Sequence, residues 1–297
     1  MKIKYCLAAA VAGVLLTSAA WAQPYKVLLV TGQNGHPWRG TTPALWKLME
    51  DSGLFTVDVV TTPPHEKGKP AADMSKFAPN FAAYDVVVSN YQGDAWPEAT
   101  QKAFVDYVKN GGGLVIYHFA LAAFPDWKEY NEIIGLGGWG KRTEKAGPYV
   151  RWRDGKIVRE CKPGKCGAHG PMQPFQLVVR EPNHPITQGL PEKFAHVPDE
   201  LYGWLRGPAK NLTVLATAFA PKEKGGADEH EPILFTIQYG KGRVFQNALG
   251  HTAKELQSVA FITTFLRGVE WAATGKVTQP VPADFPTADK ASVREIQ

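Results

Sequence analysis

The chain has 297 residues, 44% of them hydrophobic and 21% charged, and its 33 basic against 28 acidic side chains leave a formal charge of +5. That balance is too weak to mark a nucleic-acid binder, and no block of like charge extends beyond a few residues. The length and apolar fraction suit one large domain with its own core, two domains being the alternative.

The first 22 residues do not read as part of the fold. Lys2 and Lys4 precede an apolar stretch from Leu7 to Ala20, and Ala20-Trp21-Ala22 has the small-x-small form of a secretory cleavage site. The stretch is shorter than the roughly 20 residues that cross a bilayer, so residues 1–22 are expected to be a cleaved signal and not an anchor. Cys6 opens the apolar stretch behind Lys4-Tyr5, which speaks against a lipid on its sulfur. The expectation is a periplasmic or secreted protein, free of the membrane after cleavage, whose charge falls to +3 with the loss of the two lysines.

Tyr25 to Thr31 is a continuous apolar run ending at Gly32, as expected of a strand buried on both faces. A helix follows, with Thr42 able to cap it, Pro43 in its first turn and Gly53 beyond its end. Phe55 to Thr61 and Tyr84 to Asn90 read as further strands. Asp94 to Pro97 opens a second helix that ends at Gly111-Gly112-Gly113, before the strand Leu114 to Tyr117. Single helices between strands imply right-handed crossovers and a parallel sheet covered on both sides, a doubly wound, flavodoxin-like α/β architecture. Ligands then bind at the carboxyl ends of the strands.

From about residue 134 to 208 the pattern dissolves into Gly, Pro and charged residues around one strand, Phe175 to Val179. Such long insertions are usually binding loops or lids. Cys161 and Cys166 enclose a Pro163-Gly164 turn, and in an oxidising compartment the expectation is a local disulfide, with a metal knuckle involving His169 as the competing reading. Order returns at Leu212 to Ala218. Ile233 to Tyr239 and Val244 to Ala248 form a hairpin about Gly240-Lys241-Gly242, and a helix runs from about Ala253 to Ala273. The domain is taken as residues 23–275, and the Pro-rich tail 276–297 is expected to be mobile.

Four places could carry chemistry. His36 lies in the loop Gly32 to Trp38 after the first strand, which lacks the spacing of a phosphate or dinucleotide loop. His118 directly follows the strand Leu114 to Tyr117, where neither Cys nor Ser stands, so nucleophilic acyl transfer is disfavoured and a base or a metal ligand is favoured. A hydrogen-bonded structural role for His118 remains open. His196 to Tyr202 reads as a loop carrying Asp199 and Glu200, either a site or a solvated turn. His251 follows the hairpin's second strand at Leu249-Gly250, where it or Thr252 could also simply cap the last helix. His184 reads as structural, and the position of His169 relative to the sheet does not follow from the sequence. His36, His118, Glu200 and His251 have the atom types to hold a divalent metal such as Zn, although no close-spaced ligand pair supports them.

Gly35-His36-Pro37-Trp38, Gly113 to His118 with Asp126-Trp127, His184 to Leu190, Asp199 to Tyr202, and Tyr239 to Phe245 leading to His251 together resemble the ThuA-like (trehalose utilisation) family. The resemblance spans roughly Tyr25 to Gly275. It implies the class I glutamine amidotransferase-like fold without its catalytic Cys, and an involvement with trehalose or related disaccharides, as oxidised 3-keto sugars. A C3 ketone acidifies the C2 proton, so a positioned base can form an enolate that isomerises or expels the C1 substituent. His118 is then the expected base, Glu200 an acid or ligand, and His251 and His36 ligands or oxyanion partners. Trp38, Trp127 and Tyr202 offer ring faces to a sugar, beside Asp126 and Asp199. The expected activity is that of a sugar-modifying isomerase, lyase or hydrolase with a small-molecule substrate, not of an amidotransferase. A non-catalytic carbohydrate-binding protein, or an interaction module in a larger assembly, is the alternative.

Overall fold

The computed structural model describes residues 23–65 and 68–296, so the expected signal segment lies outside the described residues. In chain order the regular elements are β1 (Tyr25–Thr31), α1 (Trp38–Asp51), β2 (Phe55–Thr61), β3 (Val86–Ser89), α2 (Glu98–Lys109), β4 (Gly113–Tyr117) and α3 (Lys128–Ile134). The chain continues through β5 (Tyr149–Arg153), β6 (Lys156–Glu160), β7 (Ala168–His169), β8 (Gln173–Val179), β9 (Lys193–Asp199) and β10 (Tyr202–Gly203). It closes with β11 (Leu212–Ala220), β12 (Glu229–Tyr239), β13 (Gly242–Asn247) and α4 (Val259–Thr274).

Nine strands form one sheet in the order β2-β1-β3-β4-β13-β12-β11-β8-β9. The first five run parallel in a flavodoxin-like order, and the last four extend the sheet antiparallel from β13. Val27 to Val30, Val86 to Val88 and Leu114 to Ile116 are fully or almost fully buried, which is why these strands read as unbroken apolar runs. Val259 to Glu270 of α4 is buried all round, packed on β4 and β13 on one side and on β9 on another.

Several expectations are corrected. The first helix begins one turn before Thr42, at Trp38, because the Thr42 hydroxyl is committed to the buried Thr31 hydroxyl at 2.7 Å and receives the Asn90 amide at 3.1 Å, leaving nothing to cap with. The segment 134–208 is not irregular: β5 and β6 form a separate hairpin, β7 pairs with β10, and β8 and β9 complete the main sheet. His196 and Asp199 therefore lie in a strand and not in a loop. The tail is docked. The Ala195 N–H donates to Thr287 O, the Val259 N–H to Ser292 O, and Phe285 packs on Phe194 at 5.1 Å.

Cys161 and Cys166 are free thiols, Cys161 exposed and Cys166 buried, so the expected disulfide is not formed. The turn between them points Cys166 inward, where its sulfur donates to Gly137 O at 3.5 Å, while Cys161 stays on the surface.

His184 has the structural place expected of it. Its Nδ1 accepts the Ile186 N–H at 3.2 Å and its ring lies 5.0 Å from Trp271. Burial pushes this imidazole down to about 4 from its ordinary 6.5. Because the folded value is depressed, its contribution is complete above about pH 6.5 and is lost as pH falls toward 4, where the unfolded chain takes up the proton first. His184→Leu is expected to flatten the fall in thermal midpoint between pH ~7 and pH ~4.5 relative to the parent.

Candidate active site

Four strand ends supply the site. β1 feeds the loop that carries His36, β4 ends just before His118, β9 ends just before Glu200, and the chain leaves β13 through Leu249-Gly250 into His251. His118 has φ +43, in the left-handed region, so the chain turns sharply into the short 3-10 helix His118–Ala122. That bend aims the imidazole across the rim instead of along the strand.

One ligand atom from each of His36, His118, Glu200 and His251 lies within 4.8 Å of all the others. Glu200 Oε2 stands 3.2 Å from His36 Nε2, 3.5 Å from His118 Nε2 and 2.9 Å from His251 Nδ1. His251 Nδ1 nonetheless makes no hydrogen bond, although it is buried and close to the carboxylate. Buried ring nitrogens without a partner suit a cation between the groups better than a set of direct hydrogen bonds.

Each side chain is held from behind. His118 Nδ1 lies 2.8 Å from Ala248 O, which can only accept, so Nδ1 carries the proton and Nε2 presents its lone pair to the cluster. The Tyr202 hydroxyl donates to that Nε2 at 2.8 Å, with its ring stacked on the imidazole at 4.4 Å. Asp199 is fully buried and does not face the cluster. Its Oδ2 accepts from His196 Nε2 at 2.8 Å and the Gly250 N–H at 2.7 Å, and its Oδ1 from the N–H groups of Glu200 at 2.8 Å and His251 at 3.2 Å. One carboxylate thus ties the end of β9 to the turn after β13, and sets the positions of two members of the cluster.

The charge states follow. Burial works against the Glu200 carboxylate, but the surrounding imidazoles of His118, His36 and His251 hold its carboxyl well below the usual range. Burial, reinforced by His118 and His251, lowers His36 despite the pull of Glu200, which favours a neutral imidazole able to ligate. Burial raises Tyr202 well above the usual phenol value, so its hydroxyl stays protonated.

Of the residues singled out from sequence, His36, His118, Glu200, His251 and Tyr202 converge, and Asp199 supports them. Trp38 faces an adjoining pocket of about 480 Å³ with Arg39 over its ring at 4.4 Å. Asp126 and Trp127 are elsewhere. Trp127 packs among Trp96, Phe104, Phe124 and Tyr130, and Asp126 lines a separate surface pocket.

Two further residues complete the site: His169, which the sequence offered only for a metal knuckle with the cysteines, and Trp139, which carries no signal there. His169 Nε2 reaches Glu200 Oε1 at 3.4 Å because β7 pairs with β10, setting His169 opposite Tyr202. Trp139 lies 4.7 Å from Tyr202 and 5.3 Å from Phe119, whose ring in turn is 4.2 Å from His36. Only the pairing of two-residue strands reveals the first, and only a backbone turn reveals the second.

Residues 26–272 match the ThuA family, described as trehalose utilisation. The chain belongs to the ThuA family. Its role is accordingly related to trehalose utilisation. A solved structure described as a ThuA-like protein from Parabacteroides merdae is 47% identical, with a TM-score of 0.88 over 92% of this chain and 98% of that one. A second ThuA-like structure, from Bacteroides uniformis, is 20% identical with a TM-score of 0.55, covering 88% of this chain and 96% of that one, and shows the shared fold. No match was found among functionally curated proteins. The fold shared with these structures is a mixed α/β one with a large, partly parallel central sheet, and His118 stands at the bend after the fourth parallel strand. No helix among the described residues is long and apolar enough to cross a membrane.

Proposed function

We propose that this ThuA-family chain is an enzyme acting on trehalose-related or 3-keto disaccharides and glycosides, by acid/base chemistry around a divalent metal held by His36, His118, Glu200 and His251. The observation that carries the reading is the meeting of three imidazoles and one carboxylate within 4.8 Å, with His251 Nδ1 buried and unpartnered beside Glu200. Three nitrogen donors and one oxygen suit Zn or a similar first-row ion. Such an ion would act as a Lewis acid on the substrate carbonyl.

The protein's own groups divide the remaining work by accessibility. His118, the base expected from sequence, is 1% exposed, with Nδ1 committed to Ala248 O and Nε2 turned into the cluster, which favours a ligand over a base that meets substrate. His169, at 38% exposed and beside Glu200, is the imidazole a sugar can reach. Its Nε2 takes the C2 proton, and the C–H electrons pass to the C3 oxygen as the enolate forms. Reprotonation of C2 from the opposite ring face gives the C2 epimer. Alternatively, the enolate electrons form the C1–C2 double bond as the C1–O bond breaks, and the departing oxygen takes the proton from His169. The Tyr202 hydroxyl keeps the imidazole beneath it oriented.

Export through residues 1–22 belongs to the same proposal on the strength of Lys2, Lys4 and Ala20-Trp21-Ala22, and N-terminal sequencing of the mature chain tests it. The purified protein is expected to carry about one transition-metal ion per chain by elemental analysis. A chelator that removes it is expected to abolish turnover of 3-keto-trehalose, with recovery on adding Zn, Mn or Fe back. Tight sugar binding without turnover in every metal form would instead identify a carbohydrate-binding protein.

A further inference from the structure

We propose that Trp139 is the platform of a preformed sugar-ring subsite, built by the segment between α3 and β11 over the metal-ligand cluster. The proposal rests on the functional reading above and deepens it by assigning the residue that would select a pyranose.

The first observation is backbone strain. Trp139 has φ +58, followed by Gly140 at +59 and Lys141 at +64, so three successive residues lie in the left-handed region. A bulky aromatic rarely adopts that conformation, and it persists only where neighbouring structure enforces it.

The second is how it is enforced. The Trp139 N–H donates to Cys166 O at 2.9 Å, and the Arg142 N–H donates to Trp139 O at 3.0 Å. The Arg142 guanidinium, itself buried, donates to Gly138 O at 2.9 Å and Ala122 O at 3.1 Å. Gly167, at φ +79, lies so close to the indole that a Cβ there would sit 2.7 Å from Trp139 Cδ2. The strand pairing that begins next to Gly167 sets His169 opposite Tyr202. A single stretch, Cys166 to His169, thus clasps the indole and supplies the accessible imidazole.

The third is the outcome. The half-buried indole stands 4.7 Å from Tyr202, 5.3 Å from Phe119 and 6.2 Å from His169. A ring needed only for packing could be reached through ordinary backbone angles. Here the strained turn instead brings a broad, rigid apolar face beside groups that ligate and hydrogen-bond. A pyranose has a matching form, with an apolar C–H face and hydroxyls around its edge, and stacking on the indole would leave those hydroxyls toward His169 and the cluster. A platform held before the ligand arrives loses little entropy on binding.

The test is titration calorimetry of trehalose on the metal-loaded protein, together with KM and kcat for 3-keto-trehalose, in the parent, Trp139→Ala and Trp139→Leu. Metal content equal to the parent's reports an intact cluster in each variant. Both substitutions are expected to raise Kd and KM about ten-fold with a smaller change in kcat, since an aromatic contact of this kind is typically worth up to one decade in affinity. Leu keeps apolar bulk against Tyr202 and Gly167, so it covers the case in which the Ala variant fails to fold. Parent-like affinity in the Leu variant overturns the assignment of Trp139 and leaves the functional reading standing. A parent protein that neither binds trehalose nor turns over the keto sugar overturns that reading, and this inference with it.

Discussion

His118→Ala is expected to lose its stoichiometric metal and to lower turnover of 3-keto-trehalose by at least about 10²-fold, while the chain stays folded. The imidazole is the only member of the cluster positioned by both a backbone carbonyl and a stacked phenol, so no neighbour can swing in to replace it. Its removal also leaves the Tyr202 hydroxyl without its 2.8 Å acceptor and opens a space beside Glu200. The strained bend at φ +43 does not depend on the imidazole, and Ala is small enough to hold it, so circular dichroism and the thermal midpoint should change little. Elemental analysis and single-turnover kinetics read the effect. A variant that keeps both metal and rate would remove His118 from the site. His184→Leu, which acts on the fold alone, serves as the control with parent-like metal content.

The second large effect is on stability and comes from Asp199. Its two oxygens accept four hydrogen bonds, three of them from backbone N–H groups, in a place without access to solvent. Asp199→Asn keeps the shape but replaces one acceptor with a donor. His196 can answer by changing tautomer, because Ser258 on its other nitrogen, 3.0 Å away, can accept as well as donate. The Gly250 N–H has no such freedom and would face an N–H₂ group. The expected cost is about 3 kcal/mol, the range for a buried charge-assisted network left partly unsatisfied, read as a lower urea midpoint at unchanged m-value. Since Asp199 holds both Glu200 and His251, metal affinity should fall in the same variant, whereas substitutions elsewhere of equal cost should leave it unaltered.

The central parallel strands were legible because their burial on both faces leaves an unbroken apolar run, and the crossover helices separate those runs with Gly and Pro. His36, His118 and His251 could be singled out for the same reason: they stand directly after such runs, where a parallel sheet presents its ligand-binding edge. The sequence also disfavoured nucleophilic acyl transfer at the end of β4, since His118 and not Cys or Ser stands there.

Glu200 is different. It follows β9, which lies at the far edge of the sheet with three strands between it and β13. Only the packing of β9 on α4, and the grip of Asp199 on the turn after β13, return that edge to the rim where the imidazoles stand. His169 and Trp139 depend still more on tertiary structure, one on a two-residue pairing and the other on a left-handed turn, neither of which leaves a periodic trace in the chain. Local hydrophobic period and turn chemistry thus determined the scaffold and marked the three imidazoles of the cluster. Long-range packing alone decided which carboxylate, which accessible imidazole and which indole complete it, because contacts across more than thirty residues are encoded in shape and not in spacing.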